Sequence, residues 1–297
     1  MEKADRSALI AIPTAILIAL MVALAGSQGG ESVQGMPIFA LAVAAAFIIQ
    51  LAAFSVAYPL QTESFFDLTG SLTYISVTLM AVWFSPVVDG RSFLLLALVV
   101  IWAGRLGIFL CRRILKAGKD ARFDEIKISL VRFLNAWTLQ GLWVSLTLAA
   151  ALVAITTANR KELGLFAVIG ALVWMFGFAI EVTADIQKGR FRMDHKNKGK
   201  FIDTGLWALS RHPNYFGEIV LWIGVTVIAM PVLRGGQWVT IISPVFVALL
   251  LTRISGIPIL EKRAEEKWGG QKDYEAYKAR TPVLIPHYPK YDSKNNR

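Results

Sequence analysis

Residues 133–157 read FLNAWTLQGLWVSLTLAAALVAITT, a run of 25 positions without a charged side chain. A helix of about 20 apolar residues is long enough to cross the roughly 30 Å hydrocarbon core of a bilayer. About a quarter of the residues of a soluble domain are charged, so such a run would be unusual there. The stretch therefore predicts a transmembrane helix, and the rest of the chain is interpreted around it.

Seven more apolar segments accompany this one. They cover residues 8–26, 38–58, 66–86, 92–111, 163–182, 216–233 and 237–256. The chain is 55% hydrophobic and 18% charged, with a mean hydropathy of +0.53, which is typical of a polytopic membrane protein. The first segment also resembles a signal-peptide core, but no net positive charge precedes it, so we favour a retained helix. We predict an all-α transmembrane helix bundle of seven spans, or eight with the first segment, forming a single domain over residues 1–297.

Basic residues are concentrated between the apolar segments and account for much of the net charge of +10. Residues 112–132 hold seven Lys and Arg against three acids, and residues 186–215 hold seven against two. The positive-inside rule places these loops and the basic C-terminal tail in the cytoplasm. The same rule explains the charge without a nucleic-acid partner. From Glu261 onward we predict an amphipathic helix, a Gly-Gly break, a second helix and an extended end.

Cysteine and histidine are scarce. Cys111 is the single cysteine, and His195, His212 and His287 are far apart in the chain. This composition excludes an internal disulfide framework, and we predict no metal site. Redox chemistry would therefore need an organic cofactor. The sequence also lacks a Gly-x-Gly-x-x-Gly motif after a strand, which excludes a Rossmann domain.

Polar side chains open the segment 66–86. The stretch YPLQTESFFDLTGSLTY, residues 58–74, contains Gln61, Glu63 and Asp67. Glu63 and Asp67 are four residues apart and would share one face of a helix. A carboxylate at a helix start can simply complement the helix dipole. That explanation suits one acid better than two acids and a glutamine, so we treat the group as a candidate site.

Arg105 lies inside the segment 92–111, about two helical turns before Arg112. Snorkelling can bring an arginine at a span end to the interface. A guanidinium placed deeper needs an anionic partner, either a carboxylate or a bound phosphate. We therefore select Arg105 as a candidate cofactor ligand.

Glu181 and Asp185 are again four residues apart, at the predicted end of the segment 163–182. Carboxylates are unfavourable at a helix C-terminus, so we expect each to have a dedicated partner. Arg192 follows in a basic run that either anchors the span or holds phosphates beside the two acids.

The stretch SRHPNYFGEI, residues 210–219, places a dense polar group at a membrane edge. Pro213 disfavours a helical conformation at the residue before it and predicts a helix start at position 213 or 214. Backbone N–H groups at a helix start form a natural anion or hydrogen-bonding site. The candidate side chains of this stretch are Arg211, His212, Asn214, Tyr215 and Glu218.

Arg253 lies near the end of the last apolar segment, and Glu261 follows eight residues later, on the same face if one helix continues. A snorkelling arginine is the simpler explanation for Arg253. Arginines, carboxylates, asparagine and tyrosine gathered at one membrane face favour a cytosolic nucleoside or dinucleotide cofactor that reaches into a cavity of the bundle.

Four stretches carry a resemblance to a known family. They are ADIQK (184–188), GLWALSRHPNYFGEIVLWIG (205–224), SGIPILEKR (255–263) and YEAYKARTPVLIP (274–286). In these the chain resembles the steroid 5α-reductase family, in particular its bacterial branch, over residues 61–290, whereas residues 1–60 match weakly. The resemblance implies a seven-span monomeric enzyme of the bacterial inner membrane. It also implies NADPH bound on the cytoplasmic side and reduction of the Δ4 double bond of a 3-oxo steroid.

The resemblance also implies roles for individual residues. Asp185, Arg192, Asn214 and Glu218 fall where the family contacts NADPH. Two further arginines match family arginines in kind and spacing, Arg105 and Arg253.

The implied catalytic residues lie near the start of the segment 66–86. Glu63 and Gln61 are similar to the family's Gln-Glu pair beside the substrate ketone, although Thr62 separates them here. At the place of the family's ketone-polarising tyrosine the chain has Trp102, so Tyr74 or Tyr58 would have to take that role.

The chemistry implied is conjugate reduction of a lipophilic enone, in which charge develops on the carbonyl oxygen. A donor aimed at that oxygen stabilises the charge, and burial can keep a carboxylic acid protonated for this purpose. Glu63 is the candidate acid.

The alternative is an S-adenosylmethionine-dependent membrane methyltransferase of the isoprenylcysteine carboxyl methyltransferase type, which has a similar Arg-His-Pro-x-Tyr-x-Gly stretch. Arg105, Arg192 and Arg253 favour NADPH, because S-adenosylmethionine carries no phosphate. A third class, a sterol-binding protein without enzymatic activity, would not need the arginine–carboxylate groups.

Overall fold

The computed structural model describes residues 3–117 and 123–288, and for residues 113–117 it describes the backbone alone. The basic loop predicted over 112–132 and the end of the tail therefore lie partly outside the described residues. The described chain is mostly helical and has almost no strand. The helices are α1 (Lys3–Gly26), α2 (Ile38–Ala57), α3 (Phe66–Phe84), α4 (Gly90–Ala117), α5 (Leu130–Thr156), α6 (Leu165–Met193), α7 (Pro213–Ala229), α8 (Ile242–Leu249), α9 (Gly256–Trp268) and α10 (Lys272–Arg280). A two-stranded antiparallel hairpin, β1 (Ser32–Val33) and β2 (Met36–Pro37), precedes α2.

Within the described residues, seven helical segments are long and apolar enough to cross a membrane. They are Lys3–Gly26, Ile38–Ala57, Gly90–Arg112, Leu130–Thr156, Leu165–Met193, Pro213–Val232 and Gly235–Trp268. This confirms the predicted all-α polytopic fold, and the chain is an integral membrane protein. The first apolar segment is one of the seven. The segment predicted over 66–86 forms α3 but is not among them, because Asp67 and its hydroxyl-bearing residues lower its hydropathy.

Two boundaries differ from the sequence prediction. Helix α6 continues to Met193, so Glu181 and Asp185 lie well inside a helix and not at its C-terminus. The apolar run marks the part of the helix that can lie in lipid, whereas polar helix-forming residues extend it further. The last segment is broken, because a wide helical turn over Leu250–Ile254 ends at Ser255 and α9 begins at Gly256. Arg253 and Glu261 therefore do not share one continuous helix.

The tail follows the prediction closely. Helix α9 ends at Trp268, Gly269 and Gly270 form the break, and α10 follows. Gly270 has φ +78°, a backbone conformation that glycine adopts at little cost. Beyond Arg280 the described chain is irregular to its end.

The described chain forms two compact units. The first comprises the residues up to Val168 together with Val225–Ser243, and the second comprises Ile169–Gly224 together with the residues from Pro244 onward. In the first unit, α5 packs against the other four long helices α1 to α4. The quoted apolar stretch is thus the central helix of that unit, and from Val144 to Thr156 each of its residues is buried.

Arg91 connects separate backbone segments of the first unit by hydrogen bonds. Its side chain is only 1% exposed, and its three guanidinium nitrogens donate to the carbonyl oxygens of Ile228 (3.1 Å), Lys161 (2.7 Å) and Glu162 (3.1 Å). A buried charge is tolerated here because its donors meet backbone acceptors.

In the second unit, α6 and α7 approach closely at paired glycines. A Cβ atom added to Gly177 would come within 2.6 Å of the carbonyl oxygen of Gly217, and one added to Gly217 within 2.6 Å of the backbone nitrogen of Glu181. Small residues at such contacts let helix backbones approach one another in membranes. This contact sets Glu181 directly beside the first turns of α7.

Candidate functional site

The second unit contains a cavity of about 300 Å³ at the polar end of α6. This volume lies at the lower end of the range for small-molecule pockets. Its lining combines cations with aromatic rings: Lys188, Phe191, Arg192, Lys200, Phe201, Ile202, Trp207, Arg211, His212, Leu260, Glu261, Arg263, Ala264, Lys267, Trp268, Tyr274 and Tyr277. Six of these side chains are Lys or Arg, and Glu261 is the one carboxylate among them.

One wall of the cavity is held together by the tail. The Arg211 backbone N–H donates to the Pro282 carbonyl at 2.8 Å, and the Ser210 hydroxyl donates to the Leu284 carbonyl at 2.8 Å. The Tyr277 hydroxyl donates to the Trp207 carbonyl at 2.7 Å. Burial raises the pKa of Tyr277, so its hydroxyl remains a donor at neutral pH. The loop before α7 and the tail after α10 thus form one hydrogen-bonded layer.

Glu261 joins the two residues that precede α7. Arg211 Nη1 lies 2.6 Å from Glu261 Oε2, and His212 Nε2 lies 2.7 Å from Glu261 Oε1. A carboxylate only accepts hydrogen bonds, so Nε2–H is the donor in this pair. The His212 ring also stacks on Tyr215, with the centroids 5.7 Å apart and the planes 8° apart.

His212 is 5% exposed, and its protonation follows from that burial. Burial lowers the pKa of His212, the nearby cations Lys188 and Arg211 lower it further, and Glu261 partly opposes them. The imidazole is therefore neutral at pH 7. Its other nitrogen, Nδ1, is buried and has no hydrogen-bond partner among the described residues.

Aromatic rings form much of the rest of the lining. Phe201 packs against Trp268 (5.9 Å between centroids), Tyr274 (5.1 Å) and Tyr277 (5.3 Å). The Trp268 indole N–H donates to the carbonyl oxygen of Gly199 at 2.6 Å. A cavity with flat aromatic rings beside cations suits a ligand that combines a planar base with phosphates.

Four of the predicted cofactor residues line this cavity: Arg192, Arg211, His212 and Glu261. The remaining predicted residues of the second unit do not line it. Tyr215 does not line the cavity, but its ring stacks on that of His212, which does.

On α6, Glu181 is buried and lies two turns before Lys188, whereas Asp185 is half-buried and lies one turn before it. At positions 181, 185, 188 and 192 the spacing places all four side chains on one face of α6. On α7, Asn214 and Glu218 are half-buried in the first two turns. Arg253 is exposed, in the wide turn after α8.

Sequence reasoning missed most of the aromatic lining and several cations. The missed lining residues with rings or charges are Phe191, Lys200, Phe201, Trp207, Arg263, Lys267, Trp268, Tyr274 and Tyr277. The alternation of basic and aromatic residues in the tail was a usable signal. Lys188, which belongs to the predicted basic run, stands with its Nζ 4.2 Å from the centroid of the Trp207 ring.

The predicted catalytic residues lie in the first unit, around the turn between α2 and α3. Glu63 is 4% exposed, and its Oε2 lies 2.7 Å from Lys127 Nζ. Gln61 is exposed, has φ +48°, and donates from its side-chain amide to the Tyr58 carbonyl at 2.8 Å. The structure therefore does not bring Gln61 to the buried side of the turn beside Glu63.

Tyr74 and Arg105 are also in the first unit. Tyr74 is 5% exposed and meets Trp102 edge to face, with the centroids 5.0 Å apart. Its backbone lies about 12 Å along α3 from the first residue of that helix. Arg105 is half-buried on α4, three residues after Trp102, and does not line the cavity of the second unit.

The donor set of the cavity fits an anionic organic cofactor. Six cations attract phosphates and the aromatic rings offer surfaces for a base. The residues that the structure describes contain no group of three or more His, Cys, Asp and Glu that could hold a metal ion.

Comparison with known proteins identifies the family. A family model described as a protein of unknown function, DUF1295, matches residues 53–281, which is most of the chain. The chain therefore belongs to the DUF1295 family. No curated protein and no solved structure matches it.

Proposed function

We propose that the protein is an NADPH-dependent membrane reductase. In this proposal it reduces the Δ4 carbon–carbon double bond of a 3-oxo steroid or of a similarly lipophilic enone. The substrate enters from the membrane, and the cavity of the second unit binds the nucleotide part of the cofactor.

The observation that carries the proposal is the chemistry of that cavity. Six cations against one carboxylate, interleaved with aromatic rings, form an environment for a phosphorylated nucleoside. The volume suits the nucleoside phosphate half of NADPH better than the whole dinucleotide. The sequence resemblance to the steroid 5α-reductases supports the same cofactor.

The chain's own residues would divide the work as follows. Arg192, Lys200, Arg263 and Lys267 would bind phosphate oxygens. Glu261 would hold Arg211 and His212 in place at the edge of the pocket. The bound cofactor would supply a hydride. Glu63, which is buried, would act on the substrate carbonyl.

The cavity argues against the methyltransferase alternative. S-adenosylmethionine carries a sulfonium cation and no phosphate, so a lining with a large excess of positive charge would repel its reactive centre. A methyltransferase would also have no evident use for the buried Glu63.

A turnover assay tests the proposal. Detergent-purified protein is mixed with NADPH and a 3-oxo-Δ4 steroid such as testosterone, and the 5α-dihydro product is measured by mass spectrometry. We expect NADPH-dependent product with wild-type protein and its loss in Glu63→Gln. Reduction of a different enone but of no steroid would keep the reaction class and reject the substrate. Methyl transfer from S-adenosylmethionine would reject the proposal altogether.

A further inference from the structure

The turn between α2 and α3 buries a carboxylate at the edge of the first unit. The Thr62 N–H donates to the Ala57 carbonyl at 3.1 Å, and the Phe66 N–H donates to the Glu63 carbonyl at 2.9 Å. These bonds fix the backbone on both sides of Glu63, whose side chain is 3% exposed.

Lys127 is one partner of this carboxylate. It lies in the turns that precede α5, and its ammonium is 2.7 Å from Glu63 Oε2 but 3.9 Å from Asp124 Oδ1. The Lys127 backbone N–H donates to the Phe123 carbonyl at 3.0 Å, and the Phe123 ring packs 4.9 Å from that of Phe66. Lys127 is therefore held both at its backbone, by the bond to Phe123, and at its ammonium, by the contact with Glu63.

The surroundings of the pair are aromatic. Trp137 on α5 contacts both residues that follow the turn, with centroid distances of 5.9 Å to Phe65 and 4.9 Å to Phe66. Trp137 is fully buried, and its indole N–H has no hydrogen-bond acceptor among the described residues. A buried N–H group that lacks an acceptor has hydrogen-bonding capacity left for a water or a ligand oxygen.

The contact between Lys127 and Glu63 changes which group can donate a hydrogen bond. An ammonium at 2.7 Å stabilises the ionised form of the carboxylate, and an ionised carboxylate only accepts. The ammonium has three N–H donors, and the contact with Glu63 uses one of them. The Lys127 side chain is 20% exposed, whereas that of Glu63 is 3% exposed.

We propose that Lys127 donates the hydrogen bond that polarises the substrate carbonyl, and that Glu63 is a positioning residue that holds the ammonium. This inference rests on the proposed function. It differs from the expectation drawn from the sequence, in which a protonated Glu63 was the donor.

The reaction balances with this assignment. A C–H bond forms at the β-carbon with the hydride of the reduced nicotinamide, which is thereby oxidised. The electron pair of the C=C bond moves into the bond between the α-carbon and the carbonyl carbon, and the carbonyl pair moves onto oxygen as an enolate. Lys127 stabilises that oxygen by its hydrogen bond. Water then protonates the α-carbon and the C=O bond re-forms, giving the saturated ketone.

The direct test is the carbonyl stretching frequency of a 3-oxo-Δ4 steroid, ¹³C-labelled at the ketone, bound to the full-length protein without NADPH. We expect the frequency in wild type to lie below its value in apolar solvent, to stay low in Lys127→Arg, and to return toward that value in Lys127→Met. Lys127→Gln is a second variant, in which a neutral amide can still donate a hydrogen bond to Glu63 and so help the protein to fold. Because a neutral donor is weaker than an ammonium, the carbonyl frequency should be lowered less in this variant than in wild type. Asp124→Asn is the matched control and should keep the wild-type frequency.

Turnover gives a second readout. Lys127→Met and Lys127→Gln should lower kcat about 100-fold or more with little change in KM, as expected when one donor to a developing oxyanion is lost. A purely structural lysine would reduce the amount of folded protein without moving the carbonyl frequency.

The results separate the two proposals. The role of Lys127 is overturned if the carbonyl frequency stays low in Lys127→Met, or if it is the same in Lys127→Gln as in wild type. It is also overturned if wild type does not lower the carbonyl frequency at all. A wild type that binds the ketone but never oxidises NADPH contradicts the proposed reduction, and the infrared comparison still decides whether Lys127 is the donor.

Discussion

His212 combines a polar ring with nearly complete burial, and the consequence is a pH-dependent stability. Burial lowers the pKa of His212 in the folded protein below its ordinary value of 6.5. In the window between those two values the unfolded chain binds more protons than the folded one, so the free energy of unfolding rises with pH. This contribution is fully present above about pH 6.5 and is lost as the pH falls below it.

We therefore predict that the thermal midpoint of wild type falls between pH 7 and pH 5 by more than that of His212→Gln. The exposed His195 provides the control, because His195→Gln should keep the wild-type pH dependence. Scanning calorimetry or scanning fluorimetry in detergent measures the difference. Parallel pH curves for wild type and His212→Gln would contradict the assignment.

Arg91 allows a second prediction at this scale. Its replacement by Met keeps an unbranched apolar stem but removes the donors of three backbone carbonyls. Each buried carbonyl that loses its donor costs about 1–3 kcal/mol. Arg91→Met should lower the thermal midpoint clearly, whereas Arg234→Met, at an exposed position, should have little effect.

Individual residues show how far the sequence alone could lead. Burial of Glu63 and His212 could be predicted, because polar groups at a membrane edge usually face an interior. The partners of these two residues could not be predicted from the sequence, because Lys127 lies 64 positions from Glu63 and Glu261 lies 49 positions from His212. Such pairs depend on how the helices pack, and helical periodicity reports only on neighbours within one helix.

At the scale of the helices, the contact of α6 with α7 depends on the absence of side chains. A Cβ at Gly177 would meet the backbone of Gly217 and Leu221, whereas one at Gly189, on the same helix, would meet nothing within 4 Å. These two glycines therefore form a matched pair.

We predict opposite effects of alanine at these positions. Gly177→Ala should destabilise the protein by about 1–3 kcal/mol through overpacking. Gly189→Ala should be neutral or stabilise it by up to about 1 kcal/mol, because alanine is the better helix former. Thermal unfolding in detergent compares the two variants, and equal midpoints would show that the glycine contact does not determine the packing.

The helices themselves were predictable where apolar runs and a proline mark them. Helix α7 begins at Pro213 as expected, and the tail divides at Gly269–Gly270 as expected. The continuation of α6 to Met193 and the break at Ser255 were not predictable, because both occur where the apolar pattern no longer distinguishes helix from turn.

At the scale of the whole molecule, the fold is predicted by the length of the apolar segments, whereas the candidate site is marked by a local excess of positive charge. The six cations of the cavity lie in segments that the positive-inside rule also explains, namely the end of α6, the following loop and α9. Only their arrangement around one cavity distinguishes a binding site from a membrane anchor.

This excess of charge predicts a strong dependence of cofactor binding on salt. Screening shortens the range of the attraction between cations and phosphates, so the Kd for NADPH should rise several-fold as salt is raised from low to physiological strength and above. Isothermal titration at several salt concentrations measures the slope. A Kd independent of salt would contradict a phosphate site built from these cations.

The most direct test of the central claim is a comparison of ligand binding to wild type and two arginine variants. Arg192 lines the cavity, whereas Arg190, two residues earlier on α6, does not. We predict that detergent-purified wild type binds NADPH and not S-adenosylmethionine. We also predict that Arg192→Ala weakens NADPH binding about tenfold or more, because a charge-assisted hydrogen bond is lost, and that Arg190→Ala binds like wild type. Binding of S-adenosylmethionine without NADPH, or NADPH binding undiminished in Arg192→Ala, would contradict the account.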